Sequence, residues 1–83
     1  MIADEMRARL AELDPEVLEI IDESESHRGH SGFREGGESH FRVRMSSPVF
    51  NGLSRVARHR LVHEALGDIV PRIHALALEL SDV

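Results

Sequence analysis

Six histidines and no cysteine stand among the 83 residues. Neutral imidazole is the commonest protein metal ligand, and the only other donors available here are carboxylates. A metal held by this chain alone would rest on His, Asp or Glu, and any thiolate must come from another molecule. The question is which histidines converge.

His59 and His63 lie four apart on one expected helix, a spacing that can chelate zinc from one face. The local sequence HRLVH lacks the glutamate that the HExxH protease motif uses as general base, and Val56 and Leu66 continue the stripe as packing residues. The pair therefore reads as ordinary helix histidines. His74 begins a face otherwise made of Leu76, Leu78 and Leu80, where an unpaired imidazole would carry a desolvation cost. Either it is hydrogen-bonded in the core, which the pattern favours, or it is exposed at the strand start and used. His27 and His30 fall in a flexible loop, where a fixed geometry needs help from a metal or partner. His40 opens a strand and reads as structural or surface. There is no Ser-His-Asp arrangement, phosphate-binding loop, dinucleotide fingerprint or paired acid. The chain reads as a binding module and not an enzyme.

The elements that must position these residues follow from periodicity. Ile2, Met6, Leu10 and Leu13 make one helical stripe, so a first helix is expected to end at Leu13. Asp14 precedes Pro15, which predicts an extended turn. Val17, Leu18, Ile20 and Ile21 read as a strand running into the acidic residues Asp22, Glu23 and Glu25. Residues 23–39 hold four glycines and no periodicity, so they read as a long loop. Phe41, Val43 and Met45 alternate with His40, Arg42, Arg44 and Ser46, the pattern of a strand with one buried and one wet face. Ser54 is placed to cap a helix to Leu66, and Gly67 to end it. A short second helical piece through Ile69 and Val70 then leads to Pro71 and a last strand, Arg72 to Leu80. The sum is an α+β fold, α-β-β-α-α-β, with three strands covered on one side by helices.

Length leaves room for a single domain, residues 1–83, with a thin core burying roughly 60 to 65% of the unfolded surface. An apolar content of 41% argues for a folded chain. Three Phe with no Trp or Tyr leave little aromatic surface for stacking nucleic-acid bases. No apolar run spans a bilayer and no signal peptide is evident, so no membrane partner and a cytoplasmic address are expected. The net charge of −5 is uneven: residues 40–63 carry five arginines and no acid. That segment offers a local basic face, or only the solvated side of a strand and a helix.

The segments ESHFRV, FNGLSRVARHRLVHEAL and IHALAL, between Glu38 and Leu78, closely resemble the BolA family. The match combines F-x-G, RHR-x-V and I-H-A in order, and PEVLEIIDES, from Pro15 to Ser24, resembles the family's first strand. The resemblance implies a class II KH-like fold with a mixed sheet, the third strand parallel to the second. No GxxG stands between the helices, where true KH domains clamp a nucleic-acid backbone; the one GxxG, Gly29 to Gly32, lies between two strands. The fold therefore does not license RNA binding.

Proteins of this family partner monothiol glutaredoxins and share a bridging [2Fe-2S] cluster, in iron-sulfur trafficking or iron regulation. The glutaredoxin and a bound glutathione supply thiolates, and the BolA-like protein supplies the I-H-A histidine and a loop His or Cys. The resemblance implies His74 for the first and His30 for the second, with His27 as the alternative because the loop is one residue longer than in some similar proteins. It implies no cofactor on the isolated protein, which is expected to be a monomer. Since imidazole binds iron only when neutral, the shared cluster is expected to weaken as pH falls through about 6.5. The second role the resemblance implies is DNA-binding transcriptional regulation in stress or morphology control, with Arg55, Arg58 and Arg60 on phosphates. Those arginines could equally face an acidic partner or tie down neighbouring loops.

Overall fold

The structure, a computed structural model, describes residues 1–83. Helix α1 spans Ile2–Leu10 and tightens into a 3₁₀ turn over Ala11–Leu13. Strand β1 (Val17–Asp22) and strand β2 (His40–Ser46) follow, then helix α2 (Arg55–Leu66) and strand β3 (Ala75–Ser81). The sheet order is β1-β2-β3, with β2 antiparallel to β1 and parallel to β3. A parallel return cannot be made by a hairpin, so α2 and the 3₁₀ turn Gly67–Arg72 form the crossover. The element order and mixed sheet agree with the sequence expectation.

Alternation along β2 decides which face is covered. Phe41, Val43 and Met45 are buried against Met6 and Leu10 of α1 and Val62 and Leu66 of α2. Arg42 and Arg44 occupy the other face beside Ile21 and Glu19 of β1, their register partners. Both helices thus lie on one side. Ser54 caps α2 as expected, its hydroxyl accepting from the Ala57 amide at 3.1 Å. Phe50, fully buried, plugs the core from the 3₁₀ turn Pro48–Phe50. No helix is long and apolar enough to cross a membrane.

Local departures from the sequence reading have physical causes. Asp14 leaves the right-handed region as a residue before proline should, but enters the left-handed one (φ 53°, ψ 55°) and is not extended. Aspartate tolerates that conformation, and the buried Ser47 hydroxyl donates to the carbonyls of Leu13 and Asp14, holding the corner. The second crossover helix is 3₁₀ and contains Pro71, so Pro71 does not introduce the last strand. Strand β3 begins at Ala75 and not Arg72, because its pairing starts at His40–Ala75, and β2 has no residue before His40 to pair with 72–74. His74 is therefore outside the strand and exposed, not on the leucine face.

Candidate functional site

The 17 residues between β1 and β2 are not a flexible loop at their roots. Asp22 accepts from the Ser24 amide and hydroxyl through Oδ1, and from the Glu38 amide through Oδ2 at 2.9 Å. The Ser24 hydroxyl in turn accepts from the amides of Ser39 (2.9 Å) and His40 (3.1 Å). Desolvation pushes the Asp22 carboxyl up, but the bonds from Ser24 and Glu38 outweigh it and hold it below its ordinary range. This clasp turns the chain into the 3₁₀ turn Ser24–His27. Farther out, Arg28 pairs with Glu25 and Glu35 and lies 4.8 Å over the Phe33 ring, and Arg34 donates to the Arg72 carbonyl.

The clasp brings four histidines into one row. His27 stacks on His40 with ring centroids 4.0 Å apart and planes 12° from parallel. His30 meets His27 edge-on at 5.6 Å, and His74 lies 5.1 Å from His40. His40 is buried, His27 half-buried, and His30 and His74 exposed. His74 is held through its backbone: its amide donates to the Ser39 carbonyl at 2.8 Å. The glycine turn also presses on it. A Cβ at Gly32 would collide with the His74 ring, and Gly32 already has φ +81°.

Of the expected site residues, His27 and His74 each meet the His40 ring and His30 meets His27, so the row links them through His40. His40 was expected to be structural or surface, and it lies at the centre of the row. Its alternation with the core residues of β2 placed it on the wet face, and only the loop folding back over that face could bury it. His59 and His63 stay apart on α2, and no group of three or more His, Asp or Glu is arranged to hold a metal ion. The row is a line of imidazoles and not a closed donor set.

The basic segment is less basic in space than in sequence. Arg42 pairs with Glu23 and Glu79, and Arg44 with Glu79. Arg58 donates to the Phe50 carbonyl at 3.1 Å and faces Asp82 at 3.5 Å, the loop-tying role. Arg55 and Arg60 are exposed and make no side-chain hydrogen bond or ion pair.

Comparison with known proteins gives these positions a context. The family model of BolA-like proteins matches residues 10–82. The chain is 45% identical over 80 residues to a protein of Vibrio cholerae named DNA-binding transcriptional regulator BolA, covering 94% of this chain and 72% of that one. It is 46% identical over 76 residues to BolA-like protein 1 of mouse, covering 89% of this chain but only 53% of the mouse protein. Among solved structures, BolA1 from Arabidopsis thaliana matches with a TM-score of 0.84 at 34% identity, covering 99% of this chain and 92% of that one.

Two outcomes follow from the geometry. Gly29 and Gly32 have nearly the same positive φ, +82° and +81°, but a Cβ at Gly29 meets open space. Gly29→Ala and Gly32→Ala should each cost about 1–2 kcal/mol for backbone conformation, and only Gly32→Ala should shift the His74 ring resonances in NMR spectra. Equal His74 shifts in both would refute the contact. The second concerns acid. Burial, followed by the nearby charges of His27, His74, His30 and Arg34, lowers the His40 pKa. As pH falls through about 6.5, unfolded His40 takes up a proton that the folded state refuses, so stability declines until the lower folded pKa is passed. His40→Phe should flatten the fall of the urea midpoint with decreasing pH, and parallel curves would contradict it.

Proposed function

The chain belongs to the BolA-like protein family, and from that premise we propose that it is a non-enzymatic, cytoplasmic partner of a monothiol glutaredoxin, sharing a [2Fe-2S] cluster with it. The observation that carries this reading is the histidine row, which ends in an exposed His74 and runs through His40 to His27 and the exposed His30 of the loop. The donor set fits a shared group better than a resident one. With no cysteine and no cluster of three ligands, the chain can complete no site alone, whereas two imidazoles suit one iron whose remaining ligands are thiolates from another molecule. Such a cluster supplies one-electron chemistry and a transferable iron-sulfur unit. The chain's own residues bind and orient: the Ser39 carbonyl fixes the backbone of His74, and the clasp at Ser24 fixes the origin of the loop that carries the second histidine.

His74 is the first ligand of this reading and His30 the second, with His27 the alternative. Mixing the protein with a monothiol glutaredoxin, glutathione, iron and sulfide is expected to give a visible absorption and circular dichroism signature that His74→Ala abolishes. His30→Ala and His27→Ala then separate the two candidates, since only loss of the ligand should erase the signature. A spectrum unchanged in His74→Ala would reject the assignment.

A second reading, regulation through DNA, is favoured by the name of the Vibrio relative and by Arg55 and Arg60, which lack intrachain partners. Arg58, committed to Phe50 and Asp82, is a weaker phosphate ligand in this reading. Binding to duplex DNA should weaken steeply with salt, and Arg55→Ala or Arg60→Ala should each lower the log–log slope by about 1. Affinity indifferent to salt would count against it.

A further inference from the structure

His40 differs from the other three histidines of the row in burial and in hydrogen bonding. It is 3% exposed, and its Nδ1 shares a 2.8 Å hydrogen bond with the Ser39 hydroxyl, itself fully buried. Its backbone is pinned on both sides: its amide donates to Ser24 Oγ and its carbonyl accepts from the Glu23 amide at 2.8 Å. With main chain and ring both held, His40 cannot swing outward as an exposed histidine can. It nevertheless touches both arms of the candidate site. One face of the ring carries His27 at 4.0 Å, and His74 sits 5.1 Å away at a tilt of 48°. The residue before it holds His74 by the backbone, since the Ser39 carbonyl accepts from the amides of both His74 and Ala75.

We propose, resting on the reading that His74 is a ligand of the shared cluster, that His40 is a positioning residue: a buried spacer that sets the placement of His27 and His74 without taking the metal. The loop histidines sit on a glycine-rich segment that has many conformations available when unconstrained. A flat ring fixed to the sheet gives His27 a surface to lie on, and so gives the loop a preferred position relative to His74. One nitrogen of His40 is engaged by Ser39 and the ring is covered, which keeps it from an iron approaching along the exposed rim. A phenylalanine could serve as the flat surface, leaving the Ser39 hydroxyl short of a partner, whereas an alanine could not.

The test uses the whole chain in two settings. In the isolated protein, ring resonances of labelled His27 and His74 are expected to stay dispersed in His40→Phe and to collapse toward the averaged values of mobile side chains in His40→Ala. In the complex with a monothiol glutaredoxin, glutathione, iron and sulfide, His40→Ala should shorten the half-life of the visible circular dichroism signal about 10- to 100-fold, as loss of a supporting group around a metal ligand does. His40→Phe should restore most of it. If His40→Ala does not fold, Ser39→Ala loosens the same ring by removing its hydrogen bond and should shift the His27 and His74 resonances in the same direction. Unchanged resonances in a folded His40→Ala, or in Ser39→Ala where His40→Ala does not fold, would overturn the positioning role. Loss of the signal in His40→Phe as complete as in His74→Ala would overturn it differently, by making His40 a ligand. Should the wild-type chain assemble no shared cluster, the ligand reading fails, while the resonances of the isolated protein still decide whether His40 positions its neighbours.

Discussion

One buried hydroxyl, that of Ser24, carries the constraint on which the arrangement at the top of the sheet depends. It donates to Asp22 and accepts from the amides of Ser39 and His40, joining the last residue of β1 to the first of β2. An antiparallel pair joined by 17 residues gains no register from its connection, unlike a tight hairpin, where turn geometry sets it. Here the alternation of β2 specifies the pairing and the clasp ends it. The buried Ser24 and Ser39 hydroxyls have partners, so their desolvation is offset, while the neighbouring Glu38 carboxylate keeps Oε2 buried and unpaired; removing one partner of the clasp would strand the others at about 1–3 kcal/mol each. From the clasp the consequences run outward in both directions. Toward the loop, it places His27 over His40; toward β3, it orients the Ser39 carbonyl that receives His74 and Ala75.

A second device ties the C-terminal end of the same loop to α1. The Ile2 amide, one of the unpaired donors of the first helical turn, donates to Glu38 Oε1 at 3.1 Å. A carboxylate at a helix N-terminus also suits the helix dipole. Glu38 meets this demand in a left-handed conformation, φ 63°, which a non-glycine residue adopts only when its surroundings require it. At the C-terminus of α2 the complement appears: Arg9 donates to the Leu66 carbonyl and pairs with Asp68. The helix ends are thus finished by residues 36 and 57 positions away in the chain.

These long-range pairings mark the limit of what sequence can tell. The alternation of Phe41, Val43 and Met45 announced β2 and its buried face, because period two is a local property. Ser54 announced the start of α2 for the same reason. The order of elements followed from periodicity and punctuation, whereas the mixed sheet, and the pairing of His74 with His30 or alternatively His27, were implied by the BolA-like motifs. Nothing local showed that His40 would be covered, since a wet-face position becomes buried only when another segment folds over it. Nor could the acid-free stretch from His40 to His63 reveal that Glu23, Glu79 and Asp82, all outside it, would pair with three of its five arginines. A run of one charge in sequence is a basic surface only if the fold brings no acids to it.

The start of β3 joins the constraint at Ser24 to the chemistry at the rim. Had pairing continued to Arg72, His74 would have alternated onto the face of Leu76 and Leu78, where an imidazole must find a buried partner or pay for desolvation. Because β2 begins at His40, pairing stops at Ala75, and His74 is left one residue beyond the sheet, exposed yet anchored by its amide. Gly32, with no side chain to collide, lets the loop close onto that ring. Under the proposed reading, a ligand shared with another protein has to be reachable from outside and still held in place. Anchoring His74 by its backbone leaves the ring nitrogens free, and in the proposed shared-cluster reading this separates anchoring from ligation.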